Sequence, residues 1–125
     1  MTVKMDFKKY VEDFCVYSTG EVVFIDGETK SADFDTLDDP INLSIFRSGE
    51  LRMKLEEKSG SPVLRVGFGS IDHKTGDFYE QINSGNLTEN GVGRISASFL
   101  GSRTAIKATL SGGSFKITIT GEFKK

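Results

Sequence analysis

The hydrophobic positions of the last third of the chain alternate. In the run Ser114–Lys124, Phe115, Ile117, Ile119 and Phe123 fall on one face, and Lys116, Thr118, Thr120 and Glu122 fall on the other. A period of two marks a half-buried antiparallel strand. Two similar runs precede it, Val92–Leu100 and Arg103–Ser111, separated by Gly101-Ser102 and Gly112-Gly113. Glycine at such junctions supplies the positive φ of hairpin turns. The same rhythm runs upstream. Ile41–Arg47 groups Ile41, Leu43 and Ile45, and after Ser48-Gly49 the run Glu50–Glu56 turns Leu51, Met53 and Leu55 inward. Pro62–Ile71 groups Leu64, Val66 and Phe68, with Gly67 and Gly69 on the opposite face, where glycine marks a bend or a close backbone approach. Asp77–Ile82 carries Phe78, Glu80 and Ile82 on one face. The Gly/Asn-rich stretch Asn83–Gly93 then reads as a loop, a candidate gate or partner-binding surface.

The beginning of the chain reads differently. Phe7, Tyr10, Val11 and Phe14 stand at helical spacing, with Asp6 as N-cap, which predicts a short helix over 6–14. Alternation of Val3, Met5 and Phe7 is the rival strand reading. Glu21–Asp26 is the next strand, and its continuously apolar Val22–Ile25 predicts cover on both faces, the helix lying on the second. Thr29–Phe34 reads as loop. With the seven runs from Ile41 onward, the count is eight strands joined by short turns. Such a meander either curls shut or leaves open edges, and an even count lets first and last strands pair antiparallel. The expected fold is therefore all-β, an antiparallel up-and-down meander forming one domain over 1–125. It predicts an eight-stranded closed or nearly closed β-barrel with one short N-terminal helix; a two-sheet β-sandwich is the alternative.

Composition narrows the class without naming a function. The 125 residues carry 16 basic and 18 acidic side chains, a formal charge of −2, and no basic stripe, so a nucleic-acid partner has no footprint. Ten Phe and no Trp favour a phenylalanine-packed interior over an aromatic binding platform. No apolar run approaches the ~18 residues of a membrane span, and the N-terminal stretch has no signal-peptide core. Cys15, the single cysteine, permits no internal disulfide. These features together predict a cytoplasmic protein that does not engage a membrane.

Candidate chemistry is sparse. A Cys15–His73 mechanism needs the two side by side, and nothing in the sequence brings them there. Asp72, His73 and Asp77 have metal-ligand chemistry but read as a solvated turn. Asp33, Asp35, Asp38 and Asp39, with Asp26 and Glu28 upstream, match no calcium-loop spacing and read as a solvated acidic loop. The glycine pairs lack the lysine and the following helix of a phosphate loop. No catalytic residue, metal ligand or cofactor is therefore assigned. Glu80, on an inward-reading face, needs a partner, for which Arg65 or Arg94 is available.

The inferred interior mixes large residues, Phe68, Phe78, Phe99 and Phe115, with small ones, Ala97, Ala108 and Gly121. Phe24 and Phe123 extend the aromatic lining. That mixture predicts a void beside the C-terminal strands with Glu80 as its one charged group. The function it implies is a non-enzymatic binding protein whose partner is a small apolar molecule held by Phe68, Phe78, Glu80, Ala97, Phe99, Ala108 and Phe115. The topology is shared with lipocalin-like and fatty-acid-binding barrels by fold-level analogy, with no motif residue of either. The alternative is a protein-interaction module, an inhibitor or accessory subunit, whose solid core supports functional surfaces for a protein partner. A hollow or a filled interior separates the two.

Overall fold

The computed structural model describes residues 19–98 and 101–125. All the regular structure among them is antiparallel β: β1 (Thr19–Lys30), β2 (Phe34–Asp35), β3 (Ser48–Ile71), β4 (Phe78–Asn83), β5 (Gly91–Ser98) and β6 (Thr104–Lys124). The expected helix over 6–14, and Cys15 with it, lie outside the described residues. Among the described residues, no helix is long and apolar enough to cross a membrane.

The frame is a ribbon of two long strands. β3 and β6 pair antiparallel from Ser48↔Lys124 to Ser70↔Thr104. Straight, the stretch of β3 from Gly49 to Phe68 would span roughly 60 Å at about 3.3 Å per residue. Yet Phe123, the register partner of Gly49, stacks on Phe68 with ring centroids 6.3 Å apart and planes 13° off parallel. The ribbon must therefore fold back on itself. It does so where the register shifts, between Glu56/Ser59 and Gly60/Val63. Gly60 (φ 78°) and Gly112 (φ 83°) take left-handed backbone there, as does Glu57 (φ 54°). A Cβ on Gly60 would stand 2.9 Å from the Gly112 carbonyl oxygen, and one on Gly113 3.0 Å from Pro62 Cδ. Strands that switch sheets do so at such bends and bulges. Gly112-Gly113, expected as a hairpin turn, is thus a corner within one strand. Positive φ serves a turn and a corner equally, so the glycines alone did not discriminate.

Folding the ribbon makes two facing layers. In one, β1 pairs with the C-terminal half of β6, that half with the N-terminal half of β3, and this with β5. In the other, β2 pairs with the N-terminal half of β6, that half with the C-terminal half of β3, and this with β4. Numbering the eight segments along the chain gives orders 1-8-3-6 and 2-7-4-5, the winding of a jelly roll. The described strands do not close into a barrel, and the order is not that of a meander. Long-range pairing displaces the expected hairpins: β5 lies on β3 rather than on β6.

Two further expectations change. Ile41–Arg47 is not a strand beyond a single bridge from Ile41 to Thr104. Asn42 Oδ1 accepts from the backbone N–H (3.0 Å) and the hydroxyl (2.7 Å) of Ser44, turning the chain so that Leu43 and Phe46 are buried while Ile45 is exposed. β1 runs past Asp26 to Lys30 through irregularities between Val23/Ile25 and Ile25/Glu28. They place Val22 and Ile25 on the inner face and leave Val23 57% exposed, so the apolar run there is a bulge rather than a doubly covered strand.

Candidate functional site

The interior that sequence alternation marked as a binding space is occupied by the protein's own rings. Phe68, Phe115 and Phe123 are fully buried, and Ala108 and Ala97 lie in the same core. Phe24 meets Phe68 edge-on at 6.1 Å, and Phe46 lies 6.2 Å from Phe123. Gly121, one of the small residues expected beside a void, has Phe123 in its place: an added Cβ would stand 2.5 Å from that ring and 3.2 Å from Phe24. The same ring covers Gly49, and Phe46 covers Gly20. Phe78 is half-buried at the start of β4 and pairs with Ile71. Phe99 lies outside the described residues.

Glu80 is not inward. Between Phe68↔Ile82 and Gly69↔Glu80 the register passes over Gln81, and this bulge turns Glu80 to the outer face. Its carboxylate lies over Gly67, the space a Cβ there would need. Arg65 donates to it from both guanidinium ends, Nη1 at 3.0 Å and Nη2 at 2.6 Å, and Asn83 Nδ2 donates at 3.1 Å. Hydrogen bonding from Arg65 holds the Glu80 carboxyl below its ordinary value, against partial desolvation. Arg65, one of the two expected partners, is the one it meets, and Gly67 is the seat of this ion pair.

The loop candidates are engaged in local structure. Asp33 Oδ1 accepts from Leu110 N at 2.9 Å and Asp35 Oδ1 from Leu37 N at 3.0 Å. Asp72 Oδ1 accepts from Lys74 N and Thr75 N, which lowers its carboxyl and closes the turn carrying His73. Among the described residues, no three acidic, His or Cys side chains group as a metal site. The stretch after β4 is tied down too: Ser84 and Leu87 pair with Val66 and Leu64, and Asn90 Oδ1 accepts from Lys58 N.

A groove does exist, on the outside. It occupies about 470 Å³ on the outer face of the β1-β6-β3-β5 layer. Ser48, Ser96 and Ser98 line it between Glu50, Arg52, Glu122 and Lys124, together with Gly49 and Ala97, whose Cβ positions face the core. Register explains this composition. Glu21, Glu122, Glu50 and Ser96 form one lateral row across four strands, and Val23, Thr120, Arg52 and Arg94 form the next. Like charges directly opposite repel, and Arg52 relieves them by bonding Glu50 through Nε and Glu122 through Nη2. Arg94 Nη1 stands 3.8 Å from Glu50 Oε1. Hydrogen bonding from Arg52 lowers the Glu50 carboxyl, and the same contact raises the guanidinium of Arg52. A carboxyl held this way accepts hydrogen bonds at neutral pH and is poorly suited to give up a proton as a general acid. The arrangement offers a polar surface of fixed acceptors and donors over a floor of small side chains. Alternation placed Arg52 and Glu122 on outward faces. It missed their assembly, because strands far apart in sequence bring them together.

No family model matches the chain, and no curated protein matches it. Among solved structures, SPBc2 prophage-derived protein YomS superposes with a TM-score of 0.51 at 13% identity, covering 90% of this chain and 100% of that one. The CBM22-1 xylan-binding domain from Paenibacillus barcinonensis Xyn10C gives 0.48 at 12% identity, over 85% and 83% of the two chains. The infectious bursal disease virus Gx strain structure gives 0.46 at 12%, over 86% of this chain and 31% of that one. The likeness to YomS is one of fold.

Proposed function

We propose that this protein is a non-enzymatic interaction module, built on a solid core, that binds a protein partner through the outer face of its β1-β6-β3-β5 layer. The observation that carries the reading is the contrast in occupancy between the two sides of that layer. Inside, Phe123 stacks on Phe68 and covers Gly49 and Gly121, leaving the small residues no vacant space beside them. Outside, small residues floor an open groove edged by ionised side chains. Binding of a small apolar molecule has less support, since its expected space is taken by packed rings.

Two measurements test the reading together. A fluorescent fatty-acid probe at tens of micromolar is expected to show no saturable binding. Lysine-directed cross-linking in the source cells is expected to join Lys54 and Lys124, on the outer face of this layer, to protein, and to spare Lys107 on the opposite layer. Saturable probe binding that Ala108→Phe weakens would restore the apolar-ligand reading. Cross-links at Lys107 alone would move the partner surface to the other layer.

A further inference from the structure

The edge of the same layer says more about the partner. We propose that β5 is a self-recognition edge, along which two copies of this chain pair antiparallel and join their four-stranded layers into one continuous sheet. This rests on the interaction-module reading and names the partner as a second copy.

Among the described strands, β5 pairs with β3 on one side only, and the backbone groups of its other side have no described strand partner, the arrangement of an edge that another strand can extend. Among the described residues, added Cβ atoms on Gly91 or Gly93 at the start of this edge would meet no atom within 4 Å, and Val92 is 82% exposed.

Register selects the occupant. In a symmetric antiparallel pair, side chains must match face to face, which restricts the two-fold axis to single residues of β5. An axis at Arg94 sets two guanidinium groups against each other. An axis at Gly93 puts Arg94 of the second copy in the row of Val92 and Lys54, again beside a cation. An axis at Ser96 puts it in the row of Ser98, Ser48 and Lys124, with the same result. An axis at Ile95 is different. It pairs Arg94 of the second copy with Ser96, at the open end of the Glu21–Glu122–Glu50 row, and pairs Val92 with Ser98.

The geometry suits that contact. Two strand spacings, roughly 10 Å, separate the incoming strand from β3. The combined lengths of an arginine and a glutamate side chain cover this span, and the short Ser96 side chain between them leaves the path open. Arg52 bonds two of the three carboxylates and Arg94 of the same copy stands 3.8 Å from Glu50, so two guanidinium groups face three carboxylates and Arg94 of the second copy supplies a third. The groove is then the bed in which the guanidinium lies. Strand pairing of this extent makes a small interface, expected to dissociate on dilution.

Sedimentation of the full chain from about 10 to several hundred micromolar tests the proposal. A monomer–dimer equilibrium is expected that weakens as salt rises. Ser96→Glu, which places a carboxylate opposite Arg94 of the second copy, is expected to tighten it severalfold. Ser96→Arg is expected to loosen it about tenfold or more, without altering the circular dichroism spectrum. A monomer at every concentration overturns the proposal. So does a dimer indifferent to both variants, which forms elsewhere, or a monomer whose β5 amides resist exchange because the edge is already covered. A monomer that still cross-links to another protein through Lys54 and Lys124 overturns self-pairing while leaving the interaction-module reading standing.

Discussion

The two sides of the β1-β6-β3-β5 layer treat their small residues in opposite ways. On the inner side, the space over Gly49 and Gly121 is filled by the ring of Phe123, itself stacked on Phe68 from the facing layer. On the outer side, no ring of the described residues lies above Ser48, Ser96 and Ser98, and a groove remains. The residues flanking each set explain the difference. Phenylalanine leans over an adjacent glycine because burying the ring and filling the gap are both favourable. Arginine and glutamate instead bond one another across strands and keep their charged ends in water. Small residues mark a binding space only where no neighbouring side chain claims the volume.

Truncating the ring should break this comparison most forcefully. Phe123→Ala uncovers Gly49 and Gly121 together and should cost about 3–5 kcal/mol in urea unfolding, as a large cavity in a packed core does. Loss below about 1 kcal/mol would mean that the inner side is not packed as described. Overfilling the same core comes next. Ala108 is buried opposite Phe34 and Val66, so Ala108→Phe should destabilise by about 1–3 kcal/mol, whereas a genuine void would accept the ring without loss.

The Glu80–Arg65 pair gives a smaller, pH-dependent effect. Arg65 lowers the Glu80 carboxyl in the folded protein, so the pair stabilises above the unfolded value of about 4.3. That contribution is lost as pH falls through the lowered folded value. The difference in urea midpoint between the parent protein and Glu80→Gln should be present at pH 7 and close below about pH 4. A difference that persists unchanged in acid would assign the effect to packing over Gly67 instead. The smallest effect belongs to the outer floor: Ser96→Val should change stability by less than about 0.5 kcal/mol, as for an exposed substitution without special contacts. A large loss there would show that the groove is part of the packed structure.

Much of this was legible in the amino-acid pattern. Alternation in Glu50–Glu56, Pro62–Ile71 and Ser114–Lys124 assigned Leu51, Met53, Leu55, Phe68, Phe115 and Ile117 to the interior, where they lie. It assigned Arg52, Lys54 and Glu122 to the outside as well. Alternation is local, because adjacent side chains of a strand point to opposite faces whatever the strand pairs with. The Glu80 assignment failed at a bulge, since one residue passed over in the register inverts every face beyond it.

Sequence alone therefore determined that this is an antiparallel β protein with a phenylalanine-rich core, and which face of most strands that core claims. Only the tertiary structure decided which strands are neighbours, that Gly60 and Gly112-Gly113 are corners of a folded ribbon, and that the described strands do not close into a barrel. It also decided that three glutamates from β1, β6 and β3 share one row with the open edge of β5. The physical reason is range. A side chain's face follows from its own strand, whereas pairing and register follow from which distant segments bury each other best, and no single stretch encodes that choice.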